Sequence, residues 1–364
     1  MHSLSPNKSD FLNLVRWIAA LVVVFGHVDM YLGLFGGGSP EGWAAFGYLG
    51  SHAHAAVIVF FVLSGYVVTY ATERKIVKGD YGFRDYFLDR WSRIYSVLLA
   101  AIVVTLILDF IGGKISSAYH DPALIPQDGF VLRLIANVLG VQGIWGYRIQ
   151  LGSNPALWSV GYEFIYYLLF GGLFFSKQLF RRRWVAPLIV TLALGLIGWK
   201  MAAYFFVWLM GALAYYVSRA RILVNYPVSS WLVLLTLLVA NHLIIFSNIL
   251  GLPEVLRDVV FAGVIASLLS LDVKYVPPFF RQGRRVKSYM ADFSYSIYAF
   301  HTPIIFFLCS LLFNGFFKSI PPIISGVMLT AVCVLIARGL FHLTEARRLA
   351  YRQLADLAIR RVGL

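Results

Sequence analysis

The stretch Leu12–Val28, LNLVRWIAALVVVFGHV, decides the fold class. It lies within an apolar run over 11–34 that is interrupted only by Asn13, Arg16, His27 and Asp29. About 20 apolar residues are enough for a helix to cross the hydrocarbon core of a bilayer. The run exceeds the apolar region of a secretory signal and carries Arg16 inside it, so it reads as a retained span.

Nine further runs follow at about 55–72, 94–112, 157–176, 183–199, 201–218, 229–247, 257–272, 293–314 and 321–343. Of the 364 residues, 60% are apolar and 13% charged, where a soluble domain carries about 25% charged. The sequence therefore predicts an all-α, polytopic transmembrane helix bundle of about ten spans. Closely spaced spans leave no room for a separate soluble domain. The expected organisation is a transmembrane domain over 1–343 and a basic amphipathic tail over 344–364. The long connection 113–156 has room for a short interfacial or re-entrant helix around Leu132–Val141.

Lys and Arg set the orientation. With the N-terminus inside, 25 of the 31 fall on the inner side and six on the outer, alternating loop by loop. Both termini are expected in the cytoplasm. The runs Arg181–Arg183, Arg284–Lys287 and Arg347–Arg352 then read as topology signals and anionic-lipid contacts. Asp292 reads as an inner helix cap. The net charge of +14 does not imply nucleic acid, and no phosphate loop or dinucleotide fingerprint is present. Cys309 and Cys333 both lie in apolar runs, which excludes a disulfide framework and a thiolate zinc site. His52 and His54 alternate in an outer loop with no carboxylate or Cys nearby in sequence, so no metal is expected there.

Ionisable groups inside spans are costly and usually face a cavity or the bundle interior. Arg16 and His27 are separated by about 1,100° of helical rotation, within about 20° of whole turns, and by about 16.5 Å of rise. They share a face, near Asn13. In the fourth span, Asn154-Pro155 reads as N-cap and first helical residue, and Glu163 follows at about the depth of His27. Glu163, or Asp29 behind the histidine, can pair with the imidazole and fix its tautomer. Ser159 shares a face with Glu163, and Tyr166 and Tyr167 continue it. In the ninth span Ser294, Tyr298 and His301 form one polar stripe, with Pro303 loosening the helix just beyond. Arg90 and Arg93, at i and i+3, present two guanidinium groups suited to phosphate; anchoring at the inner surface explains them equally well. Ser64-Gly65 permits close helix approach or a local break. The alternatives for the buried groups are a snorkelling Arg16 and core residues bonded between helices.

The segments LNLVRWIAALVVVFGHV, VIVFFVLSGYVVT, RWSRIY, NPALWSVGYEFIYYL and SYSIYAFHTPI resemble, in order and spacing, those of the bacterial acyltransferase family 3, over about 11–343. The resemblance implies an integral-membrane O-acyltransferase in the bacterial inner (cytoplasmic) membrane. It implies acyl-CoA, usually acetyl-CoA, as a co-substrate taken from the cytoplasm rather than a permanently bound cofactor. The acceptor is a sugar or glycolipid hydroxyl at the outer face, as in lipopolysaccharide or exopolysaccharide O-acetylation. The family's Arg-x10-His falls on Arg16 and His27, its Arg-x-x-Arg on Arg90 and Arg93, and its Trp-Ser-x-x-x-Glu on Trp158, Ser159 and Glu163. His301 matches the histidine of the ninth span. Trp17 and Ser96 stand where the family usually has a small residue and a proline.

The expected mechanism docks CoA phosphates on Arg90 and Arg93, with Arg16 and Tyr95 beside them. His27, oriented by Glu163 or Asp29, acts as general base or as acyl carrier. Asn13, Ser64, Trp158, Ser159, Tyr166, Tyr298 and His301 are expected to line the path to the acceptor, and Trp43 and Trp145 to shape its mouth. Expected partners are acyl-CoA, the acceptor and membrane lipids. The rival class is a proton-coupled transporter or flippase for a glycan or lipid-linked substrate, in which the same buried charges line a permeation path.

Overall fold

A computed structural model of the chain is almost wholly helical and describes residues 4–36, 47–48, 50–182, 184–220, 227–275, 293–312 and 320–361. Trp43, Arg183, the Arg284–Lys287 run, Asp292 and Lys318 lie outside the described residues. Among the described residues, seven helices are long and apolar enough to cross a membrane. These are α1 (Pro6–Gly36), α2 (Ala53–Lys78), α3 (Phe83–Gly112), α5 (Leu157–Phe174), α7 (Trp199–Arg219), α10 (Ser294–Leu312) and α11 (Pro322–Leu343). The spans expected at 183–199, 229–247 and 257–272 correspond to shorter helices. They are α6 (Val185–Ile197), α8 (Ser230–Ala240, continued by a π-turn over Asn241–Phe246) and α9 (Glu254–Ser270). At 1.5 Å per residue the 13 residues of α6 rise only about 20 Å. Gly198, with φ near 90°, separates α6 from α7. Two further helices of ten or more residues among the described residues are α4 (Phe130–Leu139) and α12 (Arg348–Arg361).

The chain divides into two compact units. The first gathers Met1–Val23, Ser51–Gly79 and Ala202–Ser294, and the second Val24–Gly50, Asp80–Met201 and Tyr295–Leu364. In the first unit α2 packs on α9. It also meets α7 backbone to backbone: a Cβ on Gly65 would lie 2.0 Å from the Trp208 carbonyl, and one on Gly211 would lie 1.9 Å from that of Val62. Ser64-Gly65 thus serves close approach rather than a break. The buried Lys8 ammonium donates to the carbonyls of Leu269 and Leu271 at 2.5 and 2.7 Å. It places a cation at the negative end of α9. The all-α expectation needs one local correction. Pro227–Ser229 (β1) and Asp272–Tyr275 (β2) pair in parallel, Val228 opposite Val273, with an irregularity before Ser229.

In the second unit α3 packs against α5 and α12. At one end of α3, Asp109 accepts from the Ser153 amide and hydroxyl at 2.9 and 2.5 Å; lower down, the Tyr86 hydroxyl donates to the Tyr167 carbonyl at 2.9 Å. The tail is tied to the protein as well as available to lipid. Arg352 donates to Asp85 and Asp89, each at 2.9 Å, and Arg84 to Asp356 at 3.0 Å, while Leu349, Leu354 and Leu357 remain exposed.

The expected short helix in 113–156 is α4, bounded by Gly129 and Gly140, both in the left-handed region that favours glycine. Its Phe130, Val131, Leu132, Ile135 and Leu139 are exposed, as an amphipathic helix against lipid requires. The Tyr95 hydroxyl donates to the Val138 carbonyl at 3.0 Å. Tyr95 lies about 21 Å along α3 from Asp109, so the end of α4 is held well down the helix.

Gly65→Leu is expected to abolish the monodisperse folded species, because its side chain has only the Trp208 backbone to move into. Gly172→Ala, with nothing within 4 Å of an added Cβ, is expected to retain it. Size-exclusion chromatography of the detergent-solubilised proteins distinguishes these outcomes.

Candidate active site

Proline 303 shapes the site. It has no amide hydrogen, so it leaves the carbonyl of Ala299, one turn earlier in α10, without its helical donor. Asn154 fills the vacancy: its amide nitrogen donates to Ala299 O at 3.0 Å and to the Thr105 hydroxyl at 3.2 Å. Its amide oxygen accepts from the Thr302 hydroxyl at 2.6 Å. Asn154 was expected to cap the fourth span. Instead the helix begins at Leu157 after Ala156, because the asparagine side chain is committed to α3 and α10.

These bonds fix α10 where its polar stripe meets α5 and the C-terminal half of α1. The Ser159 and Tyr298 hydroxyls share a hydrogen bond of 2.5 Å. His301, fully buried, places Nδ1 2.6 Å from the Tyr298 carbonyl and Nε2 3.1 Å from His27 Nδ1. The two imidazoles meet edge to face at 4.7 Å between centroids. His27 is half-buried and is the more accessible of the two.

This geometry sets the proton positions. A carbonyl only accepts, so His301 Nδ1 carries hydrogen and, in the neutral ring, Nε2 accepts. The donor to it is His27 Nδ1–H. In neutral His27 the remaining lone pair then lies on Nε2, which gives the more accessible imidazole a basic nitrogen directed away from its partner.

Asp29 does not stand behind His27. Two residues along a helix turn about 200°, and the Asp29 carboxylate instead borders Gly50 and Gly47, whose added Cβ atoms would lie 3.2 and 3.7 Å from its Oδ2. Glu163 accepts from the Tyr167 hydroxyl at 2.5 Å and acts electrostatically on Arg93, Tyr295 and Tyr298. It therefore lies within electrostatic reach of Arg93 and of Tyr295 and Tyr298 on α10.

Arg90 and Arg93 differ in their surroundings. The Arg90 guanidinium lies over the rings of Tyr86 and Tyr167, at 5.9 and 5.7 Å, and its buried Nε has no hydrogen-bond partner. Arg93 lies 5.1 Å over Tyr295 and pairs with Glu345, whose other oxygen accepts from Ser296 at 2.7 Å. Glu345 escaped the sequence reading. Its signal was a lone acid between the last span and the basic tail, and nothing in the sequence named its partner.

Three expected site residues are used structurally. Tyr95 was placed beside the arginines, but it points about 200° around α3 from Arg93, stacks on Trp91 at 4.9 Å and holds α4. Tyr166 is buried and donates to the Met201 carbonyl at 2.8 Å. Trp158 meets Tyr162 edge to face at 5.0 Å. Asn13, Arg16 and Ser64 lie in the first unit, each half-buried, and α1 carries Arg16 and His27 on one unbroken helix.

A family model described as an acyltransferase domain matches residues 9–340. Among curated proteins, an O-acetyl transferase of Shigella phage Sf6 is 28% identical over 199 residues, or 53% of this chain and 54% of that protein. The chain thus spans about half the length of the curated relative it matches. No solved structure matches.

Removing one partner of a buried ion pair strands the other, at a cost of about 3–5 kcal/mol. Arg93→Gln is therefore expected to lower the thermal midpoint of the detergent-solubilised protein strongly. Arg93→Gln with Glu345→Gln should recover part of the loss, and equal losses in the single and double variants would refute the pairing.

Proposed function

Because the chain belongs to the acyltransferase 3 family, we propose that it is a membrane O-acyltransferase that moves an acyl group, acetyl in the first instance, from acyl-CoA to a hydroxyl of a sugar or glycolipid. The resemblance to a phage O-acetyl transferase supports the reaction class. We place the protein in a bacterial inner membrane with both termini in the cytoplasm. The loop-by-loop bias of Lys and Arg supports that orientation, with the three shorter helices completing ten crossings. Acyl-CoA then enters from the side of Arg90 and Arg93, and the acceptor from the outer side.

The observation that carries the mechanism is the chain Tyr298 carbonyl, His301, His27. His27 Nε2 takes the proton of the acceptor hydroxyl as its oxygen attacks the thioester carbonyl. The tetrahedral intermediate collapses, the C–S bond breaks, and the imidazolium returns the proton to the departing thiolate. His301 is a positioning residue: its Nε2 accepts from His27 Nδ1–H and steadies the imidazolium while it lasts. The Tyr298 hydroxyl, when it accepts from Ser159, is left with an O–H that can donate to a developing oxyanion.

Donor binding is assigned chiefly to Arg90. Arg93 is neutralised by Glu345, whereas Arg90 lies within cation–π distance of two tyrosine rings and keeps Nε unused. An arginine near aromatic rings with unused donor capacity suits a phosphate.

Acetyl-CoA turnover by the purified protein, followed as free thiol in the presence of acceptor, tests the reading. A positioned general base contributes about 10²–10⁴-fold, so His27→Ala should lose activity by that order without loss of the folded peak. His301→Gln should lose less and retain KM for acetyl-CoA. Normal turnover in His27→Ala would overturn the assignment, and no thiol release by the wild type with any glycan acceptor would turn the reading to transport.

A further inference from the structure

Outside the site just described, one group of side chains in the first unit has a composition that the O-acyltransferase reading leaves unused. His54 lies in the first turn of α2, Glu254 opens α9, and Asp258 follows one turn later. One nitrogen of His54 and one oxygen from each carboxylate all lie within 4.8 Å of one another. His54 Nε2 is 2.8 Å from Asp258 Oδ2 and 4.0 Å from Glu254 Oε1. The expectation of no metal at His54 rested on the lack of a nearby carboxylate in sequence; the fold supplies two from 200 residues along the chain.

With His54 neutral, the cluster holds two carboxylates and no full positive charge. Asp258 is 1% exposed, and a buried carboxylate requires a compensating charge or full hydrogen bonding. Its two partners, the His54 ring and the Tyr204 hydroxyl at 2.6 Å, both fall on Oδ2. Neither supplies a full positive charge when the histidine is neutral, and no Lys or Arg among the described residues pairs with Asp258. Glu254 adds a second negative charge at i, i+4, a spacing at which like charges repel.

We propose that His54, Glu254 and Asp258 bind a first-row divalent metal ion of the zinc class, clipping the first turn of α2 to the first turn of α9. One imidazole with two carboxylates is a borderline ligand set that suits zinc or manganese better than magnesium or calcium, which prefer oxygen alone. Ligand bonds of about 2.0–2.2 Å require the His54–Asp258 contact to open by roughly half an ångström. Glu254, 53% exposed, would close on the ion by a change of rotamer, with water completing the shell. Tyr204 then orients the Asp258 carboxylate from outside, as second partners of metal ligands do. His52 takes no part: it turns toward Phe246, at 5.9 Å between rings.

The test uses the full-length, tag-free protein in detergent after chelator treatment. It is titrated with Zn2+ by calorimetry and with Co2+ by visible absorption. The expected result is one ion per chain, a cobalt ligand-field spectrum and a thermal midpoint that rises with zinc. Glu254→Gln, at a half-exposed position that the fold tolerates, should weaken binding about tenfold or more, as should Asp258→Asn, and Tyr204→Phe about tenfold. Absence of a stoichiometric cobalt spectrum in the wild type, or unchanged affinity in both carboxylate variants, would overturn the proposal.

Discussion

One missing hydrogen organises this protein. Pro303 withdraws an amide donor from the middle of α10, and a carbonyl left unpaired at membrane depth costs several kcal/mol. Asn154 answers it, and by also taking the Thr302 and Thr105 hydroxyls it ties the entry of α5 to α10 and α3 at one point. The polar stripe of α10 is thereby held against Ser159 on one side and His27 on the other. Without that anchor a proline-weakened helix would have several ways to settle, and only some of them bring the two imidazoles into contact.

The same economy of donors and acceptors links structure to reactivity. A backbone carbonyl cannot donate, so Tyr298 fixes the tautomer of His301, and His301 in turn fixes that of His27. No ionised partner is needed to direct the basic nitrogen outward. Charge is concentrated elsewhere: Glu345 and Glu163 lie near Arg93, while Arg90, between two tyrosine rings, keeps donor capacity in hand. The arrangement separates a region suited to a polyanionic donor from one suited to proton transfer.

Much of this was legible in the sequence. The apolar runs located the long helices, and the i, i+4, i+7 stripe of Ser294, Tyr298 and His301 foretold one polar face. Glycines at 129 and 140 bound the short helix that the long connection had room for. The same helical geometry sets Asp29 and Tyr95 each about 200° from the residue they were grouped with. Other features could not be read. Which imidazole meets His27, where Glu345 finds its arginine and which carboxylates reach His54 depend on tertiary contacts between segments some 200 residues or more apart, and hydrophobic periodicity carries no information about partners. The short helices at 185–197 and 254–270 show the reverse limit, since an apolar run sets a helix's composition but a glycine or a turn sets its length.

The most direct measurement is the nitrogen-15 spectrum of the imidazoles in histidine-labelled protein, with His27 and His301 assigned by their disappearance in the corresponding substituted proteins. At neutral pH the account requires hydrogen on Nδ1 and a bare Nε2 in both rings. Hydrogen on Nε2 of His27, with a bare Nδ1, would contradict it, because the accessible nitrogen would then be a donor and could not take a proton from an acceptor hydroxyl.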